Sequence, residues 1–273
     1  MVSAVPERKR KRIGIMLSIE TEHWHGVLQG LADGFRAAPD VQIVKVARPP
    51  RLEARGLRKL RLDGLITRIA SREEETTVLS LGIPVLNVSG RYRAARVDNV
   101  FNDDVRVGQM AAAFFRRRGF KDYGFCGVQE HRSSRLRQRG FQAELATIDL
   151  VAEELILPEL PEGDAPSLKA VRQIKAWLRK LNKPIAVYGF NDAVARAVAE
   201  ACGEAKLDIP GDVAILGVDN DDIQLGFAAV ALSSIELNRL QIGLVAAKTM
   251  LERVREPGGE LLTRKVPPLN IVA

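Results

Sequence analysis

The sequence predicts an α/β protein in which two lobes are each built on a parallel sheet. Three observations lead there. Short apolar runs alternate with segments of helical periodicity along the 273 residues, which is the pattern of βαβ units. About ten such runs occur, and at ordinary domain sizes two sheets house them better than one. Two runs in the second half, Val187-Tyr188-Gly189-Phe190 and Val213-Ala214-Ile215-Leu216-Gly217-Val218, break abruptly into Asn191-Asp192 and Asp219-Asn220-Asp221. In an open α/β sheet, ligands bind at the carboxyl ends of the strands.

Taken in order, Ile13-Gly14-Ile15-Met16-Leu17 reads as a buried strand, and Val27, Leu28, Leu31 and Phe35 mark the apolar face of the helix that follows. Residues 41–46 alternate as a strand does. Gly64-Leu65-Ile66-Thr67 and Val85-Leu86-Asn87-Val88 are two more short strands around a polar helix. Val107, Met110, Ala111 and Phe114 recur at i, i+3, i+4 and i+7, a helical face. The second half repeats the scheme with a strand over 123–127, a helix from Phe141 onward and a strand over 150–157. Val171, Ile174, Leu178 and Leu181 then form another helical face, with Trp177 beside it. Strand 185–190 leads into a helix carrying Val194, Ala197 and Val198, and the turn Ile209-Pro210-Gly211-Asp212 introduces strand 213–218. A late helix carries Leu240, Leu244, Ala247, Leu251 and Val254, and closes near Glu256-Pro257-Gly258-Gly259. The Pro-, Glu- and Asp-rich segment 158–167 reads as a loop within a lobe.

The polar residues after strands 185–190 and 213–218 put a carboxamide and several carboxylates on one rim. Such groups accept hydrogen bonds from hydroxyls, and Asn also donates. The set suits a neutral, polyhydroxylated molecule, so the residues point to a sugar.

Composition narrows the class. A content of 46% hydrophobic and 27% charged residues is that of an ordinary globular protein. No apolar run approaches the ~20 residues of a membrane-spanning helix. The N-terminus lacks the pattern of a secretory signal, so a cytoplasmic location is expected. The net charge is +7, and residues 8–12 form one dense basic block. That block permits nucleic-acid contact, but reads first as a solvated tail leading into the first strand. Cys126 and Cys202 have no CxxC partner and read as small reduced apolar residues. His23 and His25 lack the further ligands of a zinc site, and the run 219–222 lacks the glycine and spacing of a calcium loop. There is no P-loop, no GxGxxG after a strand and no Ser or Cys nucleophile motif. Neither a metal nor a cofactor is expected, and the protein is not expected to be an enzyme.

An ordered set of motifs then resembles a known family. It comprises Asp63-Gly64-Leu65-Ile66, Ile83-Pro84-Val85-Leu86-Asn87-Val88, Arg137 three residues before Gly140-Phe141, and Phe190-Asn191-Asp192. It continues with Ile209-Pro210, Asp212-Val213-Ala214-Ile215, Gly217-Val218-Asp219-Asn220 and Leu232-Ser233-Ser234-Ile235. Together they resemble the effector-binding domain of LacI/GalR-type regulators, which share the periplasmic sugar-binding protein fold. Gly217 to Asp221, Ala231 to Ile235 and Val266-Pro267-Pro268 look most like the XylR-type xylose operon regulators.

The resemblance implies two Rossmann-like lobes joined by three crossovers. A basic tail, 1–11, would precede a first lobe of 12–101 plus 235–262 and a second of 102–234 plus 263–273. A monosaccharide, xylose or a relative, would bind in the cleft between them. It also implies a homodimer, and operator DNA bound only through an AraC-type module that this chain does not contain.

Each candidate site residue has a structural alternative. Asn191 matches the family's Asn-Asp position, and the reading gives it the ligand and gives the helix cap to Asp192, although both residue types cap well. Asp219 follows strand 213–218 and would accept from a sugar hydroxyl, or else serve the loop alone. Asn220 is a secondary candidate. Arg137 matches the family's arginine and would fork two hydroxyls, or belong to a solvated basic face with Arg132, Arg135 and Arg139. Asp103 lies where the family has a polar residue at a helix start, and would cap that helix in either case. In the loop 18–24, Trp24 would stack on a pyranose or pack into the core, and Glu20 and Glu22 are possible polar contacts.

The leading expectation is a non-catalytic sugar sensor whose lobe closure is relayed to a DNA-binding module. A solute-binding protein of a transport system is the alternative and would need export. A sugar-modifying enzyme ranks below it, because adjacent carboxylates such as Asp221 and Asp222 do not by themselves make an acid/base pair.

Overall fold

The structure, a computed structural model, describes residues 10–18, 22–129, 131–158 and 167–273, so Glu20 and the Glu22 side chain lie outside what is described. Its elements begin with β1 (Lys11–Met16), α1 (Glu22–Phe35), β2 (Val41–Lys45), α2 (Ala54–Arg58), β3 (Gly64–Thr67), α3 (Arg72–Leu79), β4 (Val85–Asn87) and β5 (Asp98–Asn102). There follow α4 (Asp104–Arg117), β6 (Asp122–Val128), α5 (Arg132–Ala146), β7 (Glu153–Leu157), α6 (Leu168–Leu178), β8 (Ile185–Gly189) and α7 (Asp192–Ala205). The chain ends with β9 (Val213–Val218), α8 (Asp222–Gly226), β10 (Ser233–Ile235), α9 (Arg239–Arg255), β11 (Thr263–Val266) and β12 (Ile271–Val272).

Two compact units result. Met1–Phe101 with Arg239–Val266 form unit 1, and Asn102–Asn238 with Pro267–Ala273 form unit 2. The unit 1 sheet has the order β11-β5-β4-β3-β1-β2, with β2, β1, β3, β4 and β5 paired in parallel. In unit 2 the order is β12-β10-β9-β8-β6-β7, parallel from β7 to β10, with β12 antiparallel at the edge. Each sheet reverses its strand order once, beside β1 in unit 1 and beside β6 in unit 2. In doubly wound sheets that reversal opens a crevice at the carboxyl ends of the strands.

The strand pleat sorts the unit 1 core. Ile13, Ile15 and Ile66 face one way, joining Val27 and Leu31 of α1 and Ala246, Met250 and Val254 of α9. Met16 and Leu65 face the other way, with Leu57 of α2 and Val78 of α3. In unit 2 one continuous core joins Phe125, Val187, Tyr188 and Leu216 of the sheet to helices α4 to α7. Trp177 lies across β6, where a Cβ on Gly124 would meet its ring at 2.8 Å.

Several elements differ from expectation. β5 is too polar to read as a buried strand, yet Asp98, Asn99, Val100 and Phe101 are all buried. The polar groups are satisfied in place. Asp98 holds Arg253 of α9 by a fork at 2.7 and 2.9 Å and accepts from the Leu262 N–H. Asn99 accepts from Asn87 at 3.0 Å and donates to the carbonyls of Ala94 and Val97. The return segments also fall elsewhere than expected. Ile235 belongs to β10 in unit 2 and pairs with Val218, while residues 263–266 form β11 in the unit 1 sheet. Helix α5 starts at Arg132, nine residues before Phe141, because its first turns bury Ser133, Ser134 and Arg137 in place of large apolar residues. On α9, Leu240 is exposed, and the buried stripe runs through Ile242, Gly243, Ala246 and Met250.

Candidate functional site

The site is assembled in unit 2 by two helices that cross at glycine. A Cβ on Gly108 of α4 would lie 2.0 Å from the carbonyl oxygen of Arg137, and one on Gly140 of α5 would lie 2.0 Å from that of Val105. Only glycine allows backbones this close. The crossing brings Asp104, one turn before Gly108, against Arg137, one turn before Gly140. Arg137 Nε donates to Asp104 Oδ1 at 2.9 Å, with both side chains almost fully buried. Arg137 Nη1 donates to the carbonyl of Phe190 at the end of β8, and the guanidinium lies 5.9 Å from the Phe190 ring. Burial alone would lower the arginine pKa, but the negative charge of Asp104, and then of Asp219, raises it, so the guanidinium stays charged. Asp104 Oδ2 and the Tyr188 hydroxyl are buried without a hydrogen bond.

Next to this pair, α7 starts against the ends of β8 and β9. Asn191 is the N-cap of α7, its Oδ1 accepting from the Val194 N–H at 3.0 Å. The expected division of roles is thus corrected, because Asp192 does not cap the helix. It turns inward over β9, where Gly217 makes room for it; a Cβ there would meet Asp192 Oδ1 at 2.1 Å. Asp192 Oδ2 accepts from the Asp221 N–H at 2.8 Å, and Oδ1 from the Ser234 hydroxyl at 2.7 Å. Ser234 Oγ in turn accepts from the Asn220 N–H at 2.9 Å. Burial, and then the charge of Asp219, push the Asp192 carboxyl up to about 8, against the two hydrogen bonds that pull it down.

This clasp holds the turn after β9. Asp219 has φ +112° and Asn220 φ +49°, backbone conformations that side chains other than glycine seldom adopt. The Asp219 N–H donates to the Ile235 carbonyl at 3.0 Å, fixing the turn to β10. Strain held by surrounding bonds at a strand end is characteristic of binding sites. At the neighbouring strand end, the His131 ring packs 5.1 Å from that of Phe190.

Arg137, Asn191, Asp219 and Asn220 are therefore all carried by one corner of unit 2. Arg137 is not part of a solvated basic face. Asp103 is the N-cap of α4, accepting from the Arg106 N–H at 3.5 Å, so the carboxylate that meets Arg137 is its neighbour Asp104. Trp24 is only 7% exposed and packs in the unit 1 core with Val27 and Leu31, so it is not an open stacking face. Glu20 lies outside the described residues. Reading the sequence missed Asp104, Asp192 and Ser234 as site residues. The described residues contain no cluster of three or more His, Cys, Asp or Glu side chains placed to hold a metal ion, and no helix among them is long and apolar enough to cross a membrane.

A profile of the periplasmic binding protein-like domain matches residues 112–273. The xylose operon regulatory protein of Escherichia coli K12 is 23% identical over 272 residues, covering 97% of this chain and 69% of that protein. The HTH-type transcriptional repressor PurR of Photobacterium profundum is 23% identical over 220 residues, 79% of this chain and 64% of its own. Among solved structures, a xylose-binding transcription activator superposes with a TM-score of 0.82 at 21% identity, over 97% of this chain and 69% of that one. A LacI family transcriptional regulator from Enterococcus faecium with bound ribose gives 0.72 at 20% identity, over 95% and 96% of the two chains.

Proposed function

Because this chain belongs to the periplasmic binding protein-like domain family, we propose that it is the effector-binding part of a sugar-responsive transcriptional regulator, with D-xylose or a related monosaccharide as effector. The relatives named for xylose regulation and the neighbour with bound ribose support the pentose. The observation that carries the reading is the corner of unit 2. A buried charged guanidinium, fixed on two sides, stands beside a strained carboxylate at adjacent strand ends. Preset donors and acceptors of this kind bind a polyol with little reorganisation. Arg137 Nη2 donates to a sugar oxygen, Asp219 accepts from a hydroxyl, and the Asn191 carboxamide, with Oδ1 held by the cap, offers Nδ2. Occupancy is relayed to a DNA-binding module and changes the activity of the whole regulator, which acts as a homodimer in the cytoplasm.

The test is thermal unfolding of the purified chain against pentoses, hexoses, sugar acids and sugar phosphates. A ligand that binds the native state raises the melting temperature with concentration. A selective rise with D-xylose, lost in Asp219→Ala, supports the reading. A rise with another sugar alone moves the effector out of the xylose class. No rise with any sugar overturns it.

A further inference from the structure

We propose that unit 1 carries a binding surface for the phosphate backbone of duplex DNA, centred on the amino-terminal end of β1 and the helix α2. It goes beyond the sugar-sensing reading and uses none of the residues of that site. A hollow of about 490 Å³ there is lined by Arg10, Lys11, Arg12, Lys59 and Arg61, with Asp63 as its one acid. Asp63 is already engaged, taking Lys11 at 3.2 Å and the Arg12 N–H at 2.8 Å. Arg10, Lys59 and Arg61 are exposed and have no acidic partner among the described residues.

The charge continues along α2. Arg55, Arg58 and Lys59 are exposed at i, i+3 and i+4, so they share one side of the helix, while Leu57 anchors the opposite side in the core. Beyond α2 a second hollow, about 520 Å³, is lined in part by Lys45 and Arg51. Residues 45–61 hold seven Lys and Arg and a single acid, Glu53, and of the seven Arg48 is ion-paired with Glu74. Folded surfaces usually intersperse both signs, and a one-sign stretch raises a local field that gathers an oppositely charged partner.

The arrangement selects a polymer over a small anion. The cations extend from the first hollow along α2 to the second, past the reach of one small anion. Arg58 and Arg12 are held by uncharged acceptors, the Ser80 carbonyl at 2.8 Å and Gln42 at 3.1 Å, so their charge is not cancelled. A row of cations on a rigid scaffold matches the repeating phosphates of a duplex, and each contact releases a counterion.

The test is fluorescence anisotropy with a labelled duplex of arbitrary sequence, titrated over a salt series. One variant reverses three charges of the ridge, R10E/K59E/R61E. A control, R117E/R172E/K180E, makes the same change in net charge at exposed positions of unit 2. Circular dichroism confirms that both fold. Wild type is expected to show a salt slope equivalent to about three to five phosphates, at roughly 0.9 per phosphate. The ridge variant is expected to bind at least about tenfold more weakly with a shallower slope, and the control to stay near wild type. Bound duplex should also protect Lys59, and not Lys180, from acetylation in the unaltered protein. Equal weakening in both variants, equal labelling of Lys59 and Lys180, or no binding by wild type overturns the proposal. So does full displacement of duplex by inorganic phosphate at matched ionic strength, which would make the hollow a small-anion site.

Discussion

Arg137 meets Asp104 at 2.9 Å because each lies one turn from a glycine at which α4 and α5 touch. The ion pair and the helix crossing are one device. The crossing sets the separation of the backbones, and the separation lets a short aspartate reach a buried guanidinium without distorting either helix. The arginine is then aimed at the carboxyl end of β8 by the Phe190 carbonyl.

The first prediction follows from that dependence. In Gly108→Ala the new methyl would stand 2.0 Å from the Arg137 carbonyl oxygen, which is backbone and cannot swing aside. The helices must part, and overpacking of this kind costs roughly 1–3 kcal/mol. Urea unfolding should show the loss, and sugar affinity should fall with it. Gly203→Ala, on α7 where nothing lies within 4 Å, should leave sugar affinity unchanged and raise stability by up to about 1 kcal/mol through helix propensity.

Asp104 and Asp103 should separate cleanly although they are adjacent. Removing Asp104 strands a buried guanidinium, a loss of about 3–5 kcal/mol. Removing the Asp103 carboxylate deletes a helix cap, a loss of about 1 kcal/mol. Denaturant midpoints of Asp104→Ala and Asp103→Ala measure the difference. Equal effects would mean that the pair does not hold the site.

This distinction was present in the sequence, though not in the motif. The face through Val107 and Ala111, extended backward by i−3 and i−7, lands on Asp104. The residue before it then falls at the cap. Matching the family's position led to Asp103, where periodicity alone favours its neighbour. The alternation of strands and helices was legible because both lobes repeat it with apolar residues. β5 was not, because its polar side chains are satisfied by Arg253 and Asn87, which are distant in sequence. No local pattern could divide the roles of Asn191 and Asp192, since both types cap. What decides it is room over β9, supplied by Gly217. Trp24 was ambiguous for a similar reason, as amphipathic aromatics serve cores and sugar sites alike.

Asp192 makes stability depend on pH in an unusual direction for a carboxylate. Its pKa in the folded chain is about 8, against 3.8 for the free group, because of burial and the nearby Asp219. The native state therefore holds a proton that the unfolded chain releases between those values. The stabilisation from this proton is complete below pH 3.8, declines as pH rises towards 8, and is gone above it. Asp192→Asn keeps the shape and an acceptor for the Asp221 N–H, and carries no proton that titrates in this range. Unfolding free energies at pH 6 and pH 9 should differ less in this variant than in wild type. An unchanged pH dependence would place the titration elsewhere.

The turn at Asp219 offers the last prediction, in which stability and binding move apart. At φ +112° a glycine is at ease and an aspartate is strained. Replacing Asp219 by Gly removes the steric penalty, on the order of 1–3 kcal/mol, and also removes one carboxylate from the neighbourhood of Asp192. Glycine returns part of that gain through its greater freedom in the unfolded chain. The charge of Asp219 also favours Arg137, so some stabilisation of the guanidinium is lost. The net expected outcome is a chain about as stable as wild type, or more so, that binds its sugar at least about tenfold more weakly, a loss of about 1.4 kcal/mol in affinity. Asp219→Ala keeps the backbone strain while losing the same carboxylate, so it should bind as weakly and unfold more easily than Asp219→Gly. Calorimetric titration beside thermal unfolding of the two variants reads both quantities. If Gly and Ala prove equally stable, the turn is not strained, and the clasp through Asp192 and Ser234 has some other purpose.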